Sequence, residues 1–508
     1  MESCDIIESV AATNPAGALS LYEKDAMMGA DSKVDASQRM LNVDEPLQEG
    51  KKLQQYVSSL VVCLTAIQSG MTLGWSSPIC PYLKSGQSFL PAITDEEESW
   101  ISSLLAIGAI VGAVPFGKVA DRIGRKKAVV IPALPYLVSW GLLIFTRNLM
   151  CIYLARFVAG IGTGAVFVLV PVYVGEIAET SIRGALGIFL PLFFSFGLVY
   201  AYTAGAYVNY ISFNVTCALM LVPFLICVPF IPESPMWLVH KGRKLEASKV
   251  LEVLRGPDYD VKREISILQE EVSEQEKKKG GFRDIVKTKA GRKAMVTCLG
   301  IMWFQQASGV DAILFYTVLI FKDAGSTIDP NLATIVIGMI EVVMTVIVAL
   351  VIDKYGRKPL LIVSGSAMAL CLGVFGYYLK LKDDGTDVTS IGWLPFTCLS
   401  LFNVVFSVGF GAVPFTIISE IFPLETKGVA TSICIVFSWA LVFTVTKLFP
   451  LLDEKLGSAV TFWIFAGFCA MASLFTYFFV PETKGKSIQQ IQKKLRRRKN
   501  QVKSSHAV

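Results

Sequence analysis

Residues 95–127 read DEEESWISSLLAIGAIVGAVPFGKVADRIGRKK. Four acids precede an apolar run over 99–117, and Lys118, Arg122, Arg125, Lys126 and Lys127 follow it. Such a run suits one helical crossing of a hydrocarbon core ~30 Å thick, which takes about 20 apolar residues. Only a helix satisfies its own backbone groups there without closing into a barrel. Lysine and arginine favour the cytoplasmic side. The basic loop is therefore expected inside and Asp95, Glu96, Glu97 and Glu98 outside.

Working outward, the same pattern recurs. Twelve apolar runs fall near residues 57–78, 99–117, 127–146, 150–173, 185–205, 213–231, 294–320, 332–352, 359–379, 394–418, 429–450 and 459–480. The composition agrees. Hydrophobic residues make up 53% of the 508 and charged residues 17%, against roughly 25% charged in soluble domains. The mean hydropathy is +0.55. This excludes a soluble enzyme, a nucleic-acid binder and a disordered scaffold. The 11 cysteines are scattered through apolar runs without a CxxC pair, and there are only two histidines, His240 and His506. No disulfide framework, metal centre or His-based triad is expected. No glycine-rich phosphate cradle or nucleophile elbow occurs in the spans, so neither a cofactor nor enzymatic catalysis is expected.

Lys354, Arg357 and Lys358, and the tail residues Lys493, Lys494, Arg496, Arg497, Arg498 and Lys499, are basic like the 2–3 loop. Twelve spans then place both termini in the cytoplasm. The division expected is a flexible polar tail over 1–53, a six-helix bundle over 54–231, a cytoplasmic linker over 232–293, a second bundle over 294–480, and a basic tail over 481–508. In the linker, Leu245, Val250, Leu251 and Leu254, then Ile265, Ile267, Leu268 and Val272, recur at helical spacing. Short amphipathic helices are predicted there.

The halves echo each other. Asp121-Arg-Ile-Gly-Arg125-Lys126 returns as Asp353-Lys-Tyr-Gly-Arg357-Lys358. Glu176 with Arg183-Gly184 returns as Glu420 with Lys427-Gly428, and Pro232-Glu233 as Pro481-Glu482. Three ordered echoes indicate an internal repeat, a transporter signature with the site between the repeats. The carboxylates and cations at these span ends can pair in one state and separate in another, which is the bistable element alternating access needs.

These residues resemble the sugar-porter branch of the major facilitator superfamily. The matches are Arg156 with Gly160 and Gly164, Pro171-Val-Tyr173-Val-Gly-Glu176, Arg183-Gly184-Ala-Leu-Gly187, Pro232-Glu-Ser-Pro235, Gln305-Gln306-Ala-Ser308-Gly309 and Pro481-Glu-Thr-Lys-Gly485. They run through residues 57 to 485, and the nearest subgroup is similar to insect facilitated trehalose and glucose transporters. The resemblance implies an all-α membrane protein of twelve transmembrane helices, in two pseudo-symmetric six-helix bundles with short cytoplasmic helices between them. It implies a carrier of a sugar, trehalose or a hexose, by facilitated diffusion. It also implies a cytoplasmic charge network of Asp121, Arg125, Arg156, Glu176, Arg183, Glu233, Asp353, Arg357, Glu420 and Glu482. Met236 stands where the family often has arginine.

A sugar calls for neutral donors and acceptors and an aromatic face. Gln68, Gln305, Gln306 and Tyr316 suit it, since a glutamine side chain offers two donors and an acceptor. Gly309 permits a break in span 7. Other expected ligand positions are altered. Pro191 replaces a glutamine, Asp311 and Glu341 replace asparagines, Ser407 replaces a glutamate, Phe415 a tryptophan and Ser438 an asparagine. A charge at mid-bilayer costs roughly 2.5–3.5 kcal/mol on insertion scales, so Glu341 is expected to face the bundle interior. It can bind substrate, couple to a proton or cation, or serve as a structural polar group. The readings in play are a sugar facilitator, a proton-coupled or cationic-solute carrier, and a transport-dead sensor. The expected partners are a small sugar and the lipid bilayer, with no nucleic acid. A monomer at the plasma membrane is expected, because one chain holds both halves. Lesser expectations are a sequon at Asn214-Val-Thr216, a snorkelling Lys447, and packing roles for Phe193, Phe194, Phe196, Tyr200 and Tyr202.

Overall fold

The computed structural model describes residues 49–86, 88–277, 281–486 and 488–497. Most of the 1–53 tail, with Arg498 and Lys499, lies outside the described residues. The described chain is all-helical. Twelve helices are long and apolar enough to cross a membrane. Spans 1 to 6 are Leu53–Lys84, Asp95–Ile123, Arg125–Phe145, Leu149–Ile177, Arg183–Tyr207 and Tyr210–Phe230. Spans 7 to 12 are Lys289–Ala324, Pro330–Ile352, Arg357–Asp383, Thr389–Ile421, Glu425–Leu456 and Ser458–Phe479. Several run past the apolar stretch that marks them, because polar first turns carry their caps. Span 2 starts in a capping box, where the Thr94 hydroxyl accepts from the Glu97 N–H and Glu97 accepts from the Thr94 N–H. Asn148 and Asp329 cap spans 4 and 8.

One apolar core lies within the first half, and the other fills the second half and takes in Leu73, Leu105, Ala106, Leu198 and Tyr202 of the first. Within the first, Gly108, Gly112, Gly160 and Gly164 let spans 2 and 4 touch backbone to backbone; a Cβ at any of them would meet a carbonyl of the facing helix. Several spans are interrupted. Span 1 changes helix at Trp75, span 7 at Ser308-Gly309, and span 10 passes through a π-helical turn at Ser407–Gly411.

The face that carries the lysine and arginine loops is called the basic face here. On it, helices Pro235–His240, Lys244–Arg255, Val261–Lys277 and Phe282–Lys287 lie between the bundles. Leu251 and Leu254 are buried as their spacing predicts, while Leu245 is 83% exposed. Leu268 and Val272 pack onto Trp237, Leu238, Val239 and Ala247. The described part of the basic tail forms a helix that packs on the second half. Helix Ile488–Arg497 buries Ile491 and Leu495, and Gln492 donates to the Ile421 carbonyl.

Candidate functional site

Two matching charge clusters sit on the basic face. In the first half, Gly124 turns the chain with φ of 102°, a left-handed conformation that glycine tolerates. This aims the first N–H groups of span 3 at Glu233, whose Oε1 accepts from Arg125 at 2.8 Å and Lys126 at 2.9 Å. The Arg125 guanidinium reaches Glu176 at 2.9–3.1 Å and Asp121 at 2.7 Å. Ser234 adds its hydroxyl to Glu176 at 2.5 Å. The second half repeats the plan. Gly356 has φ of 85°. Glu482 accepts from the backbone of Arg357 at 3.1 Å and Lys358 at 3.0 Å, and Arg357 pairs with Glu420 at 2.8 Å. Partial burial opposes the charge on Glu482. The N–H groups of Lys484, Arg357, Lys358 and Thr483 outweigh it and hold the carboxyl below its usual range. The Asp353 side chain lies outside the described residues.

Two predicted members stand apart. Arg183 is exposed and, among the described residues, donates to the Ala178 carbonyl at 3.3 Å. Arg156 is a correction. Span 4 starts on the opposite face, so Arg156 lies about 30 Å along the helix from Glu176. It is 1% exposed and donates to the carbonyls of Ile101 and Thr72 and to Ser76 Oγ, with its guanidinium 5.3 Å from the Trp75 ring centre. A third cluster escaped the sequence reading. Arg255, 4% exposed, pairs with Glu264 at 3.0 Å and Glu179 at 3.3 Å, pinning the linker helices to the first bundle. Its signal was an arginine closing the buried stripe of an amphipathic helix.

The halves meet at mid-span and on the face opposite the basic one. Tyr202 donates to the Leu314 carbonyl at 2.8 Å, and the Val318 N–H donates to Ser77 Oγ at 3.2 Å. Leu314 and Val318 straddle Tyr316, where span 7 is non-helical at φ −121°, ψ 19°. Their backbone groups, an i, i+4 pair in a regular helix, thus both take partners from the other half. Lys447, expected to snorkel, instead crosses the seam. Its ammonium is 2.7 Å from Ser99 Oγ and 4.0 Å from the Trp100 ring centre.

At mid-span, Gln305 donates to the Phe410 carbonyl at 2.7 Å and Gln306 to Ser438 at 3.2 Å. Ser195 reaches across from span 5 to Glu341 at 3.4 Å. Among the described residues, Gln305 Oε1, Asp311 Oδ2 and Glu341 Oε2 are buried without a hydrogen-bond partner, although buried polar atoms are nearly always paired. Phe194 and Phe167 pair at 5.7 Å, and Phe167 meets Trp439 of the other half at 6.1 Å. Phe194 and Trp439 thus join a mid-span aromatic set beyond the predicted sugar face. Phe415 is 49% exposed. Ser407 lies in the π-helical turn and donates back to Asn403 at 2.8 Å.

Two predicted substrate ligands are corrected. Gln68 is fully buried inside the first bundle, bonded to Trp140 at 2.8 Å and the Cys217 carbonyl at 3.0 Å. Its amide is satisfied away from the seam. The Tyr316 hydroxyl is bound to the Thr446 carbonyl at 2.9 Å, and its ring packs on Phe449. Asn214 of the sequon is buried too, accepting from Trp75 at 2.9 Å, so the folded protein does not offer it for glycosylation.

A family model described as "Sugar (and other) transporter" matches residues 53–495. The facilitated trehalose transporter Tret1 of Culex quinquefasciatus is 34% identical over 471 residues, covering 92% of this chain and 90% of the relative. The Tret1 of Aedes aegypti is 34% identical over 443 residues, covering 87% and 55%. The chain thus spans about half the length of some curated relatives and most of others. The inward-open xylose transporter XylE of E. coli superposes with a TM-score of 0.70 at 23% identity, covering 86% of this chain and 98% of that one. With the twelve spans and a match over nearly all of them, the chain belongs to the sugar (and other) transporter family.

Proposed function

We propose that the protein carries a sugar, trehalose or a hexose, across the plasma membrane by facilitated diffusion through alternating access. One asymmetry carries this reading. Among the described residues, the Arg125–Glu176 and Arg357–Glu420 pairs of the basic face each lie within one half, whereas the Tyr202–Leu314, Ser77–Val318 and Lys447–Ser99 bonds join the halves at mid-span and beyond it. That is the arrangement of a rocking carrier held shut at one end. The basic face is read as cytoplasmic, which puts both termini inside and the cross-half bonds outside. The family match and the trehalose transporters among the relatives support the substrate class.

In this reading the substrate sits at the mid-span seam. Gln305, Gln306, Asp311 and Glu341 hydrogen-bond its hydroxyls through their free capacity, Phe415, Phe167 and Trp439 offer ring faces, and Ser407 adds a hydroxyl from the π-helical turn of span 10. Asp121, Arg125, Glu176, Glu233, Arg357, Glu420 and Glu482 are the conformational charge network, with Asp353 completing it by symmetry. The bundles over 54–231 and 294–480 move as units, joined by the 232–293 linker, and one chain is a complete pathway. No nucleic acid takes part.

Labelled trehalose and glucose uptake into proteoliposomes tests this, with counterflow and with a protonophore. The expected result is saturable uptake and counterflow that ignore the protonophore. Uptake that collapses with the proton gradient would replace facilitation by coupling through Glu341 or Asp311. No uptake or counterflow of any sugar would overturn the reading.

A further inference from the structure

On the face read as outer, a cleft of about 450 Å³ opens between the halves. Its volume falls within the range of about 300–1,000 Å³ typical of small-molecule sites. One wall belongs to the first half, with Pro78, Tyr82, Gly205 and Tyr210, and the other to the second, with Lys322 and Asn331. Tyr82 and Tyr210 lie nearly parallel, 6.3 Å between ring centres at 24°. Asn331 supplies an amide and Lys322 an exposed ammonium. Among the described residues, no carboxylate lines the cleft. Its Val318 is the residue whose N–H is clamped by Ser77.

We propose that this cleft is a second, outer binding site for a neutral mono- or disaccharide, distinct from the mid-span seam. The inference rests on the transport reading for its ligand class. A pyranose presents a C–H face to the exposed Tyr82 ring, which Tyr210 backs from below, and hydroxyls to the amide and ammonium. The cleft exists only while the outer ends are together, since its walls belong to opposite halves. A sugar bound there therefore stabilises the outer-closed state by its differential affinity for that state. High external sugar slows the reopening that admits more sugar.

The test uses the full chain in proteoliposomes with Ala206→Cys in the cleft lining, labelled from outside by a membrane-impermeant maleimide, with unsubstituted protein as background. At a trehalose concentration ten times its Kd, the free fraction and the labelling rate fall about tenfold. The protection is expected to persist in Gln305→Ala/Gln306→Ala and to vanish with Tyr82→Ala. Val208→Cys, also in the cleft lining, replaces Ala206→Cys if the latter fails to reach the bilayer. Absence of protection by trehalose and glucose, or its loss with the glutamine pair, overturns the proposal. Uptake measured in the same vesicles separates the two readings. Protection without transport removes the carrier function and leaves the cleft standing, and transport without protection does the reverse.

Discussion

The Tyr202 hydroxyl donates to the Leu314 carbonyl at 2.8 Å, from one half of the protein to the break in span 7 of the other. This bond and the Ser77–Val318 bond beside it hold the outer ends together through backbone groups of an interrupted helix. Tyr202→Phe keeps the ring and removes the donor. A hydrogen bond of this kind is worth about 0.5–1.5 kcal/mol. The outward-open population should rise about two- to tenfold, read as faster external labelling of a cysteine placed on the mid-span seam.

Lys447 makes its two contacts across the same seam, with Ser99 and Trp100. Lys447→Met loses both and should shift labelling in the same direction as Tyr202→Phe. Lys447→Arg keeps the cation over the ring and should behave closer to the parent. Equal behaviour of the two variants would assign the effect to packing rather than to charge.

Arg125 and Glu176 form a pair in which each side chain is only 12–13% exposed. Arg125→Ala strands Glu176 beside Asp121, and breaking a buried pair from one side costs about 3–5 kcal/mol. A large fall in thermal stability and near-complete loss of uptake are expected. Glu176→Gln keeps a hydrogen-bonding group for Arg125 and Ser234 and should lose less stability. Thermal unfolding of the purified variants ranks them.

Glu482 is held below its usual carboxyl range by four backbone N–H groups, which overcome the opposing effect of burial. A depressed folded value adds stability above the unfolded carboxyl value of about 4.3, and that stability is lost as pH falls through the folded value. Melting temperature should therefore drop on acidification from about pH 5. Glu482→Gln should show a shallower acid limb. A variant with the parent's full acid limb would assign the acid sensitivity to other carboxyls.

Glu341 keeps one oxygen unpaired while Ser195 reaches the other. As a ligand for a neutral sugar, it should tolerate Glu341→Gln with uptake within about threefold of the parent, and lose most uptake as Glu341→Ala, in line with about 1 kcal/mol per hydrogen bond. Sugar uptake at pH 5.5 and 7.5 distinguishes this from proton coupling, which would abolish gradient-driven accumulation in the Gln variant.

The span count, the repeat and the basic-face carboxylates were legible because they depend on composition and on order along the chain. Glu233 and Glu482 sit beside glycine turns that leave helix N–H groups needing an acceptor, so their role follows from position alone. Arg156 was misplaced because a motif match does not say which end of a span it occupies, whereas counting turns from Leu149 does. Gln68 and Tyr316 were misread for another reason. A polar side chain on a span can face the interhelical contacts of its own bundle or the seam, and rotational register within a bundle is set by tertiary packing. Arg255 was missed because its partners, Glu179 and Glu264, lie in separate segments that meet only in the fold.

The partners of Arg156 also bear on how this protein can change over generations. Two of its acceptors are the backbone carbonyls of Ile101 and Thr72, which no ordinary side-chain replacement erases. The arginine is thereby insulated from drift at its neighbours, and compensation between mutated pairs is not required to preserve it. Ser76 and Trp75 are the contacts that inheritance can remove.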